Sequence, residues 1–442
     1  MHRYVLFLLL IATVSAADGP ALSVDASAAR HPISPDIYGI NDYGNGGLST
    51  ELPVGVTRWG GDSTTRYNWL NDSYNAAADW YFTSFPYDNA QPSLLPFGST
   101  FDQFVDRNLR GGERPLGTIP MLDWLPSQRT QMCSFSVAKY GLQQQVNPYD
   151  ADCGNGLKPD GKTHIVNDPA DVGTPVDEKF AEAWVNHVVS RYGTAADGGV
   201  KFWSLDNEPE WWMSVHIDIH PQPATYDEML ARGIRYAAAV KSVDPSALVT
   251  GPVPSGWMGY FYSAADMVAG WNSHSPWNYD TNPVDRIAHG NVPWLDYYLQ
   301  QMQQYEQQNG VRLLDYLDLH GYLTPNGIAF GEAGGGSDVL RLTSTRVLWD
   351  PNYLFPDPVI NAPPRLIPRM RDWVANNYPG TKIAVTEYNW GAVDDITGAI
   401  AQADVMGIFG REGLDMGTMW SPPTQKQPAA NAFRMYLNYD GL

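Results

Sequence analysis

The chain has 442 residues, 43 % of them hydrophobic, enough to build one large α/β barrel or two smaller domains and too many for a disordered polymer. Its 48 acidic and 28 basic residues give a formal charge of −20, which repels phosphate backbones and anionic membrane surfaces, so nucleic acid is not an expected partner.

At the N-terminus Arg3 precedes the apolar run YVLFLLLIATV, and the small residues Ser15, Ala16 and Ala17 follow it. This is the pattern of an export signal over residues 1–17, and the run, about 11 residues, is shorter than the roughly 20 that span a bilayer. The mature chain is expected to be secreted, free of the membrane and monomeric. In that oxidising setting the only two cysteines, Cys133 and Cys153, are expected to close a short loop as a disulfide, since a metal site needs more ligands than these two.

Residues 18–45 contain LSVDASAARHPISPDIYGIN, an alternation of apolar and polar positions punctuated by proline, and read as short strands that need partners elsewhere. From about Val54, apolar β-rich runs alternate with helical patterns. VTRW, LGTIPML, VKFWSL, ALVTG, DYLDLHGY, KIAVTEY and MGTMWS are the visible strands, and an eighth is expected near DWYF at 79–82. Val176, Phe180, Trp184 and Val188 recur every four residues, and ATYDEMLARGIRYAAAVKSVDP and WLDYYLQQMQQYEQQNG also read as helices. The rhythm predicts a (β/α)₈ barrel over residues 46–442, with its site at the C-terminal ends of the strands. Insertions at 126–172, 253–292 and 323–364 are expected to wall a cleft above that rim. Trp184 and Trp373 are expected in the core, and His187 on a helix face.

Two strand ends carry the chemistry. KFWSLDNEPEWW places Glu208 just past an apolar strand, and KIAVTEYNW does the same for Glu387. Two carboxyls facing each other across a barrel mouth suit glycoside cleavage, in which one gives a proton to the leaving oxygen and the other attacks the anomeric carbon or activates water. Asn207 is placed to hydrogen-bond a sugar hydroxyl at the reacting ring. His320 and Tyr322 reach the same rim, either to position the nucleophile or the ring, or as a satisfied polar pair. Arg58 either orients a carboxylate or forms a buried ion pair that holds the barrel together. The 16 Trp and 25 Tyr add stacking platforms for the flat apolar faces that sugars present.

Other patterns compete. His216, Asp218 and His220 alternate, and on a strand they would share one face as metal ligands, which allows a metal-dependent secreted hydrolase; as loop residues they would bond one another, a sugar or the backbone. Asp150 and Asp152 in NPYDADCGNG could offer oxygens to a structural Ca²⁺ or form a solvated turn. A non-catalytic carbohydrate-binding protein would share the barrel and the aromatics, but has no need of two opposed acids.

Taken together, TRWGGDSTTRYNW (57–69), LDNEPEWW (205–212), HIDIHPQPATYDE (216–228), LDLHGY (317–322), LWDPNY (348–353), LIPRM (366–370) and TEYNWG (386–391) resemble glycoside hydrolase family 44, the endo-β-1,4-glucanases and xyloglucanases. The resemblance implies a barrel paired with a β-sandwich, to which residues 18–45 would contribute. It implies cleavage of internal β-1,4 bonds in a β-glucan by a retaining mechanism with no required cofactor, with Glu208 as acid/base and Glu387 as nucleophile. It also implies that Trp349 and Trp420 line the cleft. Two departures stand out: Asp62 lies where the family pattern has Asn, and the sequence stops at Asn438–Leu442 where family members continue into sandwich strands. The N-terminal strands are therefore expected to lack partners.

Overall fold

The computed structural model describes residues 23, 25, 27–42, 47–270, 279, 281–354, 357 and 359–438, and the expected export signal lies outside them. Residues 34–442 form one compact unit, separate from the residues up to Ile33. Eight parallel strands close a barrel: β1 (Gly39–Asn41), β2 (Val56–Arg58), β3 (Arg114–Ile119), β4 (Phe202–Leu205), β5 (Leu248–Pro252), β6 (Tyr316–His320), β7 (Lys382–Glu387) and β8 (Met416–Met419). Each strand pairs with its sequence neighbours, and β8 closes on β1.

The first strand corrects two expectations. Gly39–Asn41 pairs with β2 and β8, so this part of 18–45 belongs to the barrel and not to a sandwich. The segment 79–82 is not a strand; Ala77–Trp80 is a 3-10 turn leading into Thr83–Pro86, which pairs outside the barrel with Ser73–Asn75 and Met132–Cys133.

Six long helices follow β2 to β7: α1 (Thr100–Gly111), α2 (Glu178–Tyr192), α3 (Tyr226–Val243), α4 (Trp294–Asn309), α5 (Leu366–Asn377) and α6 (Ile396–Glu412). Ser99, Asp177, Thr225 and Asp395 cap α1, α2, α3 and α6 by accepting from a backbone N–H of the first turn. Alternation along each strand sorts side chains between two cores. Trp203, Leu205, Leu317, Leu319, Ile383 and Val385 pack outward into the large cluster shared with the helices, where Trp184 and Trp373 also lie.

The inward residues form layers. Val56, Leu116, Phe202, Tyr316, Ala384 and Met416 make an apolar layer. Two residues further along the strands come Thr118, Ser204, Thr250, Asp318, Thr386 and Thr418, all fully buried. Asp318 is held there by Thr250 Oγ1 and Thr386 Oγ1, each donating at 2.7 Å. Arg58, two residues beyond Val56, belongs to this polar layer, and His320 follows above Asp318, so the barrel grows more polar toward its C-terminal mouth. An irregularity between Leu319 and His320 sets His320 opposite Glu387 instead of Thr386.

Candidate active site

Glu208 leaves the end of β4 through an unusual backbone. Asp206 and Glu208 both have positive φ, 62° and 43°, a conformation that costs a non-glycine residue about 1–3 kcal/mol and persists only where its surroundings hold it. Asp206 accepts hydrogen bonds from Thr65 Oγ1, Asn207 N and Met121 N, tying β4 to the loops after β2 and β3. The Asn207 carbonyl accepts from Trp212 Nε1 at 2.9 Å, and Glu208 N donates to Val253 O at 3.0 Å.

Arg58, fully buried at the end of β2, organises the centre. Its Nη1 donates to Glu387 Oε1 at 2.6 Å and to Asn41 Oδ1 at 3.0 Å, while Nη2 donates to Asn207 Oδ1 at 2.9 Å. A Cβ on Gly60 would lie 2.2 Å from the guanidinium carbon, so glycine is required beside it. Tyr322 Oη donates to the other oxygen of Glu387 at 3.0 Å. His320 lies between the two acids, with Nδ1 hydrogen-bonded to Glu208 Oε1 at 2.7 Å and Nε2, which has no hydrogen-bond partner, 3.5 Å from Glu387 Oε1. One oxygen of each glutamate and a ring nitrogen of His320 lie within 4.8 Å of one another.

The electrostatics divide the groups. Burial pushes Glu208 up to about 7; Arg58 opposes this and the Asp79 carboxylate adds to it. Burial is thus the main cause, not a neighbouring catalytic carboxylate. Burial also pulls His320 down to about 3, so its imidazole is neutral. A neutral ring can accept from protonated Glu208 at Nδ1 and direct its Nε2 proton toward Glu387, or donate from Nδ1 once Glu208 has ionised. Burial, then Glu387, pushes the Tyr322 phenol well up, so it stays a donor.

Asp62 accepts from Asn207 Nδ2 at 2.8 Å, and burial followed by Glu208, Asp79 and Glu387 pushes it up to about 8. At neutral pH this acid is mostly protonated and carries little more charge than an asparagine amide would carry at that position.

Two cavities flank Glu208. The first, about 390 Å³, is lined by Gly61, Asp62, Ser63, Asp79, Asn207, Glu208, Tyr322, Phe330, Glu387 and Trp420. The second, about 380 Å³, shares Glu208 and Tyr322 and adds Glu210, Trp211, Ser255, Trp257 and Met258 among others. The insertions at 253–292 and 323–364 line these cavities, whereas 126–172 lines neither. Arg58, Asn207, Glu208, His320, Tyr322, Glu387 and Trp420 are thus brought together. Asp79 and Phe330 were not anticipated.

Other expected residues lie elsewhere. Trp349 lines neither cavity; the Arg411 guanidinium of α6 covers its ring at 4.3 Å. His216, Asp218 and His220 sit on helical turns, with His220 N donating to His216 O, so the strand-like face is absent. Asp218 is paired with Arg66 at 3.0 Å and accepts from Ser134, and His220 is paired with Glu228 at 2.9 Å. That pairing leaves no convergent metal-ligand set. His187 bonds Asp102 at 3.0 Å between α2 and α1.

Cys133 and Cys153 form a disulfide. Asp150 accepts from Gln131 Nε2, and Asp152 accepts from Ser136 Oγ and Ala138 N, so both carboxylates hydrogen-bond groups of the surrounding loops.

The model of glycoside hydrolase family 44 matches residues 73–324. The chain is 32 % identical to Endoglucanase A of Paenibacillus lautus over 97 % of its own length, and spans 58 % of that relative's length. Among solved structures it is similar to CelM2, a bifunctional glucanase-xylanase protein from a metagenome library, with 41 % identity, a TM-score of 0.86, and 93 % of this chain and 78 % of that chain covered. It is also similar to a Paenibacillus polymyxa xyloglucanase, with 30 % identity, a TM-score of 0.72, and 93 % and 77 % covered. Family match, relatives and barrel agree: the chain belongs to glycoside hydrolase family 44.

Proposed function

We propose that the protein is a secreted retaining endo-β-1,4-glucanase that cuts within cellulose-like glucans or xyloglucan. The observation that carries this reading is the proximity of Glu208 and Glu387, with an oxygen of each within 4.8 Å, the shorter separation expected when the second carboxylate attacks directly instead of through a water. Glu387, oriented by Arg58 and Tyr322, attacks the anomeric carbon while protonated Glu208 gives its proton to the departing oxygen. Glu208, now ionised, takes a proton from the water that releases the sugar from Glu387. A carboxyl raised to about 7 suits both duties near neutral pH. The names of the relatives support a β-glucan substrate, and the expected export signal together with the disulfide supports secretion.

The test is a hydrolysis screen on carboxymethylcellulose, xyloglucan, glucomannan and xylan, with the configuration of the first-formed reducing end read by NMR. Loss of viscosity ahead of reducing-end release, with β product formed first, is expected. An α product would make Glu387 a base and not a nucleophile. No reducing ends from any polymer would leave a carbohydrate-binding protein. N-terminal sequencing of protein recovered from the medium of an expressing culture should begin near Asp18.

A further inference from the structure

Glu210 lies two residues beyond Glu208, and no step of a double displacement uses it. It is 2 % exposed. Its Oε1 accepts from Ser255 N at 2.6 Å and from Ser255 Oγ at 2.7 Å, and Ser255 Oγ accepts in turn from Trp211 Nε1 at 2.7 Å. Its Oε2 is buried with no hydrogen-bond partner. Burial, with Glu208 second, pushes the carboxyl up to about 7, so this oxygen keeps a proton through the acid range. A Cβ on Gly259 would lie 2.2 Å from Glu210 Oε1, so the facing loop has room for this carboxyl only because residue 259 is glycine.

The Ser255 and Trp211 held in this way both line the second cavity. Glu208 lines both cavities, whereas Glu387 lines only the first. In a double displacement the attacked sugar lies against the nucleophile, and the departing oxygen lies against the acid. The departing sugar then belongs on the far side of Glu208, in the second cavity.

We propose that Glu210 is a positioning residue of the leaving-sugar site: through Ser255 it fixes the Trp211 indole in the wall of the second cavity, where the ring stacks on the sugar that departs. This assignment rests on the glycosidase reading given above. It names an aromatic platform for a neutral pyranose and the carboxyl that holds it in place.

The test compares two substrates that differ in what departs. Cellopentaose must place a sugar in the second cavity, whereas β-cellobiosyl fluoride loses only fluoride. Glu210→Ala and Trp211→Ala should lower kcat/KM on cellopentaose roughly 10- to 100-fold and change it on the fluoride less than about threefold. Glu210→Gln keeps an acceptor oxygen for Ser255 and should stay within about threefold of wild type on both. Undiminished fluoride turnover in the Ala variants also shows that they are folded. Equal losses on the two substrates, no loss on either, or a Gln variant as impaired on cellopentaose as Ala would each overturn the proposal. A wild-type protein inert toward both substrates would instead overturn the glycosidase reading, and this assignment would fall with it.

Discussion

Arg58 Nη1 lies 2.6 Å from Glu387 Oε1, joining the last residue of β2 to the last residue of β7 across the barrel mouth, with both side chains buried. The same guanidinium reaches Asn41 and Asn207, so one side chain sets the orientation of three groups. A lysine ammonium has no planar fork with which to reproduce that arrangement. Arg58→Lys is expected to lower kcat by roughly 10²- to 10³-fold, and Arg58→Met, which strands a buried carboxylate, to cost about 3–5 kcal/mol of stability. Because Arg58 holds the Glu208 pKa down, its removal should also move the alkaline limb of the residual pH–rate profile upward. A limb that moved downward would contradict this electrostatic role.

The two glutamates should fail differently. Glu387→Ala can form no glycosyl-enzyme, so turnover should disappear on every substrate, and azide attacking from the vacated side should give a product of inverted configuration. Glu208→Ala should still release phenol from an activated aryl glycoside in a burst, followed by slow deglycosylation that azide accelerates with retention. A retained azide product from Glu387→Ala and an inverted one from Glu208→Ala would reverse the roles.

Glu208, Glu387 and His320 were readable because each ends or follows an apolar strand that the barrel turns toward one rim. The rest depended on contacts that sequence patterns do not carry. Gly39–Asn41 is a three-residue strand with one aliphatic side chain, so local alternation could not separate a barrel strand from a sandwich strand. Asp79 and Phe330 reach the cavity from loops whose paths are fixed by tertiary packing. His216, Asp218 and His220 alternate in sequence, but helical turns remove the period of two on which a shared face depends. Trp349, in the LWDPNY block, packs against the main core beneath the Arg411 guanidinium and lines neither cavity, which its sequence context could not show.

The disulfide should matter to stability and not to catalysis. It ties the strand Met132–Cys133 to the hairpin strand Asp150–Gly154 across a sequence separation of 20 residues, and no residue of 126–172 lines either cavity. Replacing both cysteines by serine is expected to cost about 3 kcal/mol and to leave kcat on a soluble glucan unchanged. Thiol titration of the denatured, unreduced wild type should find none.

The carboxyls of the site should make the protein less stable as pH rises. In the folded state Asp62, Glu208 and Glu210 are pushed up to about 8, 7 and 7, whereas in the unfolded chain such groups titrate near 4. Between those limits the folded protein binds more protons than the unfolded one, so stability falls with rising pH. His320, pulled down to about 3, and buried His216, also pulled down, act in the opposite direction, but their contribution is complete once the unfolded chain has lost its imidazole protons near pH 7. Above that the raised carboxyls of the site, joined by Glu113, which burial also pushes up to about 8, and by His289, raised against burial by Asp285 and Asp227, lower stability together, and the melting temperature should drop between pH 7 and 8.5. Glu208→Gln removes one of these costs and should stabilise the protein at pH 8 by up to about 3 kcal/mol. Near pH 4 the two proteins should melt together. Asp62→Asn should behave the same way while keeping kcat/KM at pH 6 within about threefold, since the protonated acid and the amide carry the same charge there. Calorimetric scans at the two pH values decide the matter: a Glu208→Gln protein no more stable than wild type at pH 8 would mean that the folded site accommodates ionised Glu208 without strain.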